Sequence, residues 1–454
     1  MAEPAPLTLD KLRQRITNRD VDTVIVAFTD VQGRLQGKRL HADHFLTDVV
    51  DHGTEACNYL LAVDVEMNTV PGYAISSWEQ GYGDFVLKPD FDTLRAVPWH
   101  PASALVLCDV LWLDRKPVAQ SPRQILRAQV QRATDLGFQA LAGTELEFMV
   151  FEDTYEQAWD GNYRGLTPAN RYNVDYSIMG TSRVEPLLRD IRNAMAAAGM
   201  VVESAKGECN LGQHEIAFKY ADVLTTADNH SVYKTGAKEI AAAHGRSLTF
   251  MAKYDEREGN SCHIHLSLRG LDGGAVFADG DAADGRSPLF RHFVAGVLAT
   301  MREFTLLYAP NINSYKRYAA GSFAPTAVAW GEDNRTCSVR VVGSGLGLRL
   351  ENRVPGGDVN PYLAIAGMLA GGLHGIEAQL PLEPAFRGNA YVADRTRIPT
   401  TLAEARAEFA DSQIARAAFG DDVVDHYVNA ADVELAAFNS TVTDWERRRA
   451  FERL

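Results

Sequence analysis

Cysteine, basic charge and long apolar runs are all scarce in this sequence of 454 residues. The five cysteines are scattered without a CxxC pair, which argues against a disulfide framework and against a cysteine-type zinc site. The net charge of −14 argues against a nucleic-acid-binding protein, which would normally carry a basic face. The longest uncharged apolar run, Tyr362 to Leu373, is too short to cross a bilayer.

The sequence also lacks several common signals. Its first six residues do not combine a charged segment with an apolar core, so no secretory signal peptide is predicted. There is no phosphate-binding loop of the GxxxxGK(S/T) type, no internal repeat and no low-complexity segment. With 46% hydrophobic and 23% charged residues, the composition is that of a globular protein, and the unpaired cysteines predict the cytoplasm.

The first hundred or so residues predict a small α+β domain. Helices are expected over residues 8–19 and 41–53, and strands over residues 21–28, 35–40, 59–65, 84–90 and 104–108. The strand over 35–40 is expected to pair back on the first strand as a hairpin. The segment from Asp114 to Pro117 marks the expected boundary, which gives domains 1–116 and 117–454. Beyond it, Ser121 and Pro122 predict the N-terminus of a helix that runs to about Leu136.

The stretch that organises the second domain is Gly143-Thr144-Glu145-Leu146-Glu147-Phe148. It predicts a strand, and because side chains alternate along a strand, Glu145 and Glu147 point the same way. Two adjacent carboxylates on a buried face repel each other, and a divalent cation would relieve that repulsion. The alternative is an edge strand with both acids in water.

Three later stretches repeat this design. They are Lys206 to Phe218 with Glu208 and Glu215, Ser261 to Leu268 with His263 and His265, and Arg349 to Arg353 with Glu351 between two arginines. Taken singly, His-x-His is also typical of a zinc site or of two hydrogen-bonded histidines, and Arg-Glu-Arg of a solvent-exposed ladder of ion pairs. Together, the four strands predict one cavity lined by carboxylates, histidines and arginines.

The residue types in that cavity indicate a chemistry. A ligand set rich in carboxylate suits Mg²⁺ or Mn²⁺ better than Zn²⁺. Two further runs, 313–317 and 334–340, bring arginines, whose guanidinium groups bind phosphate and carboxylate bidentately. Metals, arginines and anions at one place predict phosphoryl transfer.

Read in order, these motifs resemble the glutamine synthetase family over nearly the whole chain. The matching runs are GTELEF, GECNLGQHE, SCHIHLS, NSYKRY, NRTCSVR, RLENRVP and DVNPYL. The resemblance implies an α+β fold in which a small N-terminal β-grasp domain precedes a large catalytic domain, whose antiparallel β funnel is surrounded by helices. It also implies a homododecamer of two stacked hexameric rings, with each active site between neighbouring subunits.

The resemblance further implies ATP as a substrate, two to three Mg²⁺ or Mn²⁺ ions, and a role for each matching residue. The metal on the glutamate side would be held by Glu147, Glu208 and Glu215, and the metal at the nucleotide phosphates by Glu145, His263 and Glu351. Substrate and the transferring phosphoryl group would be held by Arg317 and Arg353, with Gly259, Glu258 and Tyr176 also on the substrate side. Arg335 would lie at the γ-phosphate, and the other ATP contacts would be Glu203, Tyr220, His265, Ser267, Arg340 and Arg349.

The implied reaction has two steps, and one departure from the family bears on the second. ATP phosphorylates the γ-carboxylate of L-glutamate, and an amine then displaces phosphate to form an amide. Members that use ammonia carry a glutamate six residues after the NSYKR run, which binds and deprotonates ammonium; here that residue is Phe323. The Asn-Gly of the glutamate loop reads Glu258-Gly259, and the acid-bearing DGSS of the N-terminal domain is not recognisable in residues 68–74.

Loss of these acids predicts a ligase that joins glutamate to a primary amine. The Phe323 ring favours a short amine such as ethanolamine, since a polyamine would need acids such as Glu258 or Asp84 at its far end. Two alternatives stay open: an ammonia-dependent glutamine synthetase, and a catalytically inactive structural or regulatory member. The competent residues at all six metal-ligand positions argue against the inactive member.

Two further features concern regulation and assembly. Tyr391 lies where some family members carry a modifiable tyrosine, but the usual Leu-Pro-Pro context is absent, so modification stays open. The last ten residues, 445–454, predict a helix that packs against a partner subunit.

Overall fold

A computed structural model of the protein describes residues 7–454. The first six residues, in which no signal peptide is predicted, lie outside the described residues. In the N-terminal part the helices are α1 (Leu9–Thr17), α2 (Ala42–His44) and α3 (Val50–His52), and the strands are β1 (Thr23–Thr29), β2 (Leu35–His41), β3 (Thr54–Cys57), β4 (Asp84–Pro89), β5 (Arg95–Ala96) and β6 (Ser103–Leu111). A π-helical turn over Phe45–Val49 joins α2 to α3, so the predicted helix over 41–53 is confirmed.

These strands form a mixed sheet in the order β2-β1-β6-β4-β3, with β5 also paired to β6. β2 folds back antiparallel on β1, as the predicted hairpin requires, and β1 runs parallel to β6. The predicted strand over 59–65 is wrong, because Asn58–Leu61 forms a 3₁₀ turn and the strand precedes it. The consecutive residues Leu61, Ala62 and Val63 are all buried, and a short apolar run of this kind does not distinguish a strand from a buried turn.

The rest of the chain contains the larger set of elements. Its helices are α4 (Pro122–Asp135), α5 (Tyr155–Asp160), α6 (Ile178–Thr181), α7 (Glu185–Ala197), α8 (Val223–Ala243), α9 (Pro288–Ala299), α10 (Thr305–Tyr308), α11 (Pro361–Glu377), α12 (Leu402–Asp411), α13 (Gln413–Phe419), α14 (Asp421–Ser440) and α15 (Asp444–Ala450). Its strands are β7 (Phe138–Phe151), β8 (Val202–Gly207), β9 (Gln213–Phe218), β10 (Ala221–Asp222), β11 (Ser247–Thr249), β12 (Cys262–Gly270), β13 (Trp330–Glu332), β14 (Val339–Val342) and β15 (Arg349–Asn352). The fold class is therefore α+β, as predicted.

These strands build one sheet in the order β13-β14-β15-β12-β7-β9-β8, with β10 and β11 also paired to β7. Every pair is antiparallel except β13 with β14. The predicted antiparallel sheet is confirmed with that one exception.

Helices cover this sheet, and two of them, α11 and α4, bear on predictions made from the sequence. The apolar run from Tyr362 to Leu373 belongs to α11 and is buried throughout. Among residues 7–454, no helix combines the length and the apolar character that a bilayer span requires. α4 begins at Pro122 as predicted, although the Ser121 side chain does not cap it.

Two large hydrophobic clusters, with a small third one around Cys337, fill the interior of the described chain. One is formed almost wholly by residues between Leu12 and Val118, and the larger one lies between the big sheet and its helices. The buried guanidinium group of Arg123 on α4 joins them, since it contacts Asp90 at 2.8 Å, Asp228 at 2.9 Å and Asp109. The domain boundary at 116/117 stays a prediction.

Candidate active site

The register of the large sheet gathers the predicted ligands. β7 lies between β9 and β12, so Glu147 faces Glu215 across one strand pair and Glu145 faces His263 across the other. On the far side of β12, Glu351 of β15 pairs with His265. Alternation on β7 keeps both glutamates on one face.

The carboxylate cluster consists of Glu147, Glu208 and Glu215, whose nearest oxygen atoms all lie within 4.8 Å of one another. The Glu147 carboxylate accepts hydrogen bonds from the Ser261 backbone N–H at 2.7 Å and from Gln213 Nε2 at 3.0 Å. Among the described cations, only Lys206 forms an ion pair with this cluster: it contacts Glu208 and reaches Glu215 at 4.0 Å.

The electrostatics of the carboxylate cluster show that it is short of positive charge. Burial and the neighbouring Glu208 charge raise the pKa of Glu147 from 4.5 to about 8. Burial likewise raises the pKa of Glu215 well above 4.5 and that of Glu208 above it, although Lys206 opposes both shifts. Three convergent carboxylates with one lysine fit a hard divalent cation, which would supply the missing charge.

The histidine cluster consists of Glu145, His263, His265 and Glu351. Glu145 contacts His265 Nε2 at 2.9 Å and His263 Nδ1 at 3.3 Å, and His263 Nδ1 lies 3.6 Å from Glu351. Burial, with Arg353 nearby, lowers the pKa of His263 to about 4, so its ring is neutral at pH 7, as a metal ligand must be. Its other nitrogen, Nε2, is buried and has no hydrogen-bond partner within the described part of the chain.

The structure brings His265 to this cluster as closely as His263. Possible ligand atoms of Glu145, His265 and Glu351 all lie within 4.8 Å of one another. The resemblance had instead implied that His265 contacts the nucleotide. Arg349 Nε donates to His265 Nδ1 at 3.2 Å, so a neutral His265 carries its proton on Nε2 and donates it to Glu145. His265 therefore acts as a hydrogen-bond donor in this arrangement, and the ligand assignment to His263 stays a prediction.

Arginines balance the fully buried carboxylate of Glu351. Arg340 donates to it at 2.8 Å and also bonds Asp333, and Arg353 contacts its other oxygen. Arg335 is held more loosely: it forms an ion pair with the exposed Asp333 at 3.9 Å, and its side chain is 54% exposed over an open cavity of about 510 Å³. Of the three, Arg335 is the one whose guanidinium group is available to an incoming anion.

Arg317 is held by contacts within the protein. The side chain is almost fully buried, Nη1 donates to Ser261 Oγ at 3.1 Å, and Nη2 is shared among the carbonyl groups of residues 353–355. Its Nε has no hydrogen-bond partner among residues 7–454. These contacts fix the backbone that follows β15, and the expectation that Arg317 binds substrate stays a prediction.

The residues expected on the substrate and acceptor side include two exposed aromatic side chains. The Phe323 ring is 55% exposed, and its backbone has φ 58°, which is unusual outside glycine. Tyr176 is also exposed, and Lys206 lies over its ring at 4.9 Å. The loop with Glu258 and Gly259 is tied down through its carbonyl groups, which accept from Asn210 and Gln213.

The three remaining residues that were predicted to contact the nucleotide have different surroundings. Ser267 Oγ donates to the Leu348 carbonyl at 3.0 Å and lies on β12 with the histidines. Tyr220 packs over Gly143, which pairs with His265. Glu203 is exposed on β8 and, within residues 7–454, its carboxylate has no ion-pair partner.

Two further side chains contact predicted site residues, although the sequence predicted no role for either of them. Lys206 neutralises part of the carboxylate cluster, and Asp333 orients Arg340. Lys206 stands directly opposite Glu215 in the β8–β9 register, which is the signal that could have revealed it. Asp333 follows β13 and becomes visible only once β13 and β14 are paired.

Comparison with known proteins identifies close relatives. The family profile described as "Glutamine synthetase, catalytic domain" matches residues 119–450. The chain is 63% identical over 449 residues to the gamma-glutamylethanolamide synthetase GlnA4 of Streptomyces coelicolor, which covers 99% of this chain and 96% of the relative. It is 38% identical over 454 residues to a glutamate–isopropylamine ligase of Pseudomonas sp., covering 99% of both.

The fold is also shared with a solved structure. A GmaS/ADP complex superposes with a TM-score of 0.86 at 27% sequence identity, covering 97% of this chain and 99% of the other. These likenesses extend over both predicted domains.

Proposed function

The chain belongs to the glutamine synthetase family, and from its site and its relatives we infer that it is an ATP-dependent ligase that joins the γ-carboxylate of L-glutamate to a primary amine. We propose ethanolamine as the acceptor. The relative at 63% identity bears the name of a gamma-glutamylethanolamide synthetase, and the second relative that of an isopropylamine ligase.

The observation that carries this proposal is the exposed aromatic ring of Phe323 where ammonia users place a carboxylate. A carboxylate would attract and deprotonate the small ammonium ion. An apolar ring instead offers surface against which the carbon chain of a larger amine is buried, at about 0.8 kcal/mol for each CH₂ group. The short chain of ethanolamine suits a single ring.

The proposed reaction has two steps. The γ-carboxylate oxygen of glutamate attacks the γ-phosphorus of ATP and ADP leaves, which gives γ-glutamyl phosphate. The amine nitrogen then attacks the carbonyl carbon, the C–O bond to phosphate breaks, and one proton leaves the nitrogen. The exposed guanidinium group of Arg335 would bind the γ-phosphate, while Arg340 and Arg353 hold Glu351 in place.

Divalent cations fit both clusters, and we propose two to three Mg²⁺ or Mn²⁺ ions per site. The carboxylate cluster would hold cation on the glutamate side, and Glu145, Glu351 and a histidine would hold it beside the nucleotide. Bound there, the cations would neutralise charge that otherwise keeps an anionic carboxylate from an anionic phosphate. The surplus of buried carboxylate over lysine in the first cluster supports this assignment.

Location and assembly complete the proposal. We propose a cytoplasmic enzyme, since all five cysteines are unpaired within the described residues. We further propose a homododecamer of two hexameric rings, supported by α15 and the residues after it, where Trp445, Phe451 and Leu454 expose most of their surface.

Phosphate release from ATP, Mg²⁺ and L-glutamate, measured across a panel of amines, tests the proposal. Ethanolamine should release phosphate fastest, isopropylamine and other short primary amines more slowly, and ammonium chloride least, at equal concentration and pH. Mass spectrometry of the product should show the γ-glutamyl amide. A preference for ammonium would establish a glutamine synthetase instead, and no amine-dependent release would establish an inactive member.

A further inference from the structure

Lys206 is placed in the carboxylate cluster by the pairing of two strands. It lies directly opposite Glu215 in the register of β8 and β9, and side chains at opposite positions of an antiparallel pair stand on the same face of the sheet. Its ammonium group contacts Glu208 and lies 4.0 Å from the Glu215 carboxylate. The strand pairing therefore fixes the origin of the lysine side chain next to two of the three carboxylates.

A divalent cation in this cluster would use the same oxygen atoms as the lysine. The nearest oxygens of Glu147, Glu208 and Glu215 lie within 4.8 Å of one another, and Mg²⁺ binds a carboxylate oxygen at about 2.1 Å. A lysine ammonium group binds such an oxygen at about 2.8 Å, so a cation on the Glu208 oxygen that Lys206 contacts would lie within about 5 Å of the ammonium group. Positive charges this close repel each other, so each lowers the affinity of the cluster for the other.

The ammonium group of Lys206 also has a partner outside the cluster. It lies 4.9 Å from the centre of the Tyr176 ring, close enough for a cation–π interaction. Tyr176 has φ 53°, in the left-handed region, where a bulky residue persists only if its surroundings hold it. Its backbone N–H donates to the carbonyl of Gly207, the residue after Lys206, at 3.4 Å. Since the four-carbon stem of lysine is flexible, the ring offers the ammonium group a place to stay when it leaves the carboxylates.

We propose that Lys206 is a tethered competitor of the divalent cation on the glutamate side: its ammonium group and the cation bind the same carboxylates, and the cation enters by displacing the ammonium group toward Tyr176. This inference rests on the proposed cation at the carboxylate cluster and not on the identity of the amine. The lysine keeps the carboxylates paired when free Mg²⁺ is scarce, and it makes occupancy of this site depend on the Mg²⁺ concentration.

The test is Lys206→Met, which keeps an unbranched stem and removes the charge. Titration calorimetry of the substrate-free protein with MgCl₂ should show binding about ten- to a hundredfold tighter than in the native protein, which corresponds to the loss of one competing charge-assisted hydrogen bond. Lys206→Arg keeps the charge and offers a fork that binds carboxylate bidentately, so it should bind Mg²⁺ more weakly than the native protein.

The matched control is Lys219→Met, which changes the net charge by the same amount. Lys219 follows β9, is exposed and forms no ion pair within residues 7–454. Solvent and salt screen an exposed charge four residues beyond Glu215, so this variant should change the Mg²⁺ affinity less than about twofold.

Two double variants assign the effect to one cluster. Combined with Glu215→Gln, which removes a charge from the carboxylate cluster, Lys206→Met should lose its tightened binding. Combined with Glu351→Gln, which alters the histidine cluster instead, it should keep that binding.

The titrations separate the outcomes. Unchanged or weaker Mg²⁺ binding in Lys206→Met would overturn the competition and show that the lysine holds the carboxylates in the geometry that the cation needs. Binding tighter than native in Lys206→Arg, or tightening in Lys206→Met that survives Glu215→Gln, would also overturn it. If neither the native protein nor Lys206→Met binds Mg²⁺, the proposed cation site fails and the competition with it. If instead only the amine assay fails, the titrations still decide the role of Lys206.

Discussion

Phe323 is expected to place an apolar ring where family members that use ammonia carry a charge that selects ammonium. Phe323→Glu restores that charge, and a charge-assisted contact contributes about 1.5–3 kcal/mol, which corresponds to roughly ten- to a hundredfold in affinity. We therefore expect the variant to narrow or reverse the preference for ethanolamine over ammonium, measured as the ratio of the two kcat/KM values. Phe323→Leu, which keeps an apolar side chain, should retain the native preference. A native enzyme that already prefers ammonium would contradict this role.

The metal-binding role is also decided at single residues. Glu147→Ala, Glu215→Ala and Glu351→Ala should each lower turnover by orders of magnitude, because each removes a carboxylate that the clusters would use to hold a cation. Size-exclusion chromatography should show the assembly unchanged. Glu156→Ala, at an exposed glutamate on α5, is the control and should leave turnover unaffected. Near-native turnover in any of the three cluster variants would refute the assignment of that residue.

Sequence reasoning placed those residues whose positions depend on local alternation. Glu145 and Glu147 are two apart on one strand, so their common direction follows from the chain itself. It did not show that the carbonyl groups of residues 353–355 accept from Arg317, because no local pattern shows where that loop passes. It assigned His263 to the metal and His265 to the nucleotide, a choice that alternation cannot decide, since both residues lie on the same face of β12.

At the scale of strands and helices, the sequence predicted elements whose apolar residues recur with a clear period. It did not predict how the strands of the large sheet pair with one another. The hairpin of β1 and β2 and the amphipathic α1 follow from sequence, whereas the register that sets Glu147 opposite Glu215 is fixed by packing across the sheet. The predicted strand over 59–65 failed because its apolar residues are buried on consecutive positions. The sequence alone does not show whether a short run of consecutive apolar residues is buried in a strand or in a turn.

The pairing of β7 with β9 predicts a pH-dependent response of the protein to divalent cations. Glu147 holds its proton more tightly when folded, with a pKa of about 8 against 4.5, so its burial favours the folded state below 4.5 and this contribution is lost as pH rises through about 8. A cation displaces the proton and supplies the missing charge. Mg²⁺ should therefore raise Tm more at about pH 8.5 than at about pH 6, as measured by scanning calorimetry.

The control for this effect is the double variant Glu147→Gln, Glu215→Gln. Amides neither ionise nor need a cation, so its Tm without Mg²⁺ should fall less as pH rises, and the added effect of Mg²⁺ at high pH should be lost. An equal Mg²⁺ response at both pH values in the native protein would show that these carboxylates are not the cation site.

At the scale of the whole molecule, Arg123 connects the two hydrophobic clusters. Its replacement by alanine would leave the buried Asp228 without an ion pair among the described residues, while Asp90 and Asp109 would keep only Arg127. Removing one member of a buried ionic group typically costs about 3–5 kcal/mol, so Arg123→Ala should lower the free energy of unfolding by that amount in urea titration. Arg132→Ala, on the same helix but in the partly exposed pair with Glu377, should cost about 1 kcal/mol or less. Equal losses would show that Arg123 does not join the clusters.

Assembly is the second prediction at this scale. Light scattering coupled to size-exclusion chromatography should show a large homo-oligomer, in keeping with a dodecamer. Deleting residues 445–454, which expose Trp445, Phe451 and Leu454, should lower the measured mass by weakening contacts between subunits. A monomer that turns over at the native rate would contradict this expectation.

The central position of β7 also determines which kinds of genetic change this enzyme tolerates. Glu145 and Glu147 serve separate clusters from one continuous strand that is paired on both sides. One inserted or deleted residue ahead of them would turn both side chains to the opposite face and bring Leu146 and Phe148 into the site. Substitutions along the strand would damage one contact at a time, whereas a change in its length would dismantle both clusters together. In lineages descended from this protein, we therefore expect β7 to vary in composition outside Glu145 and Glu147 but not in length.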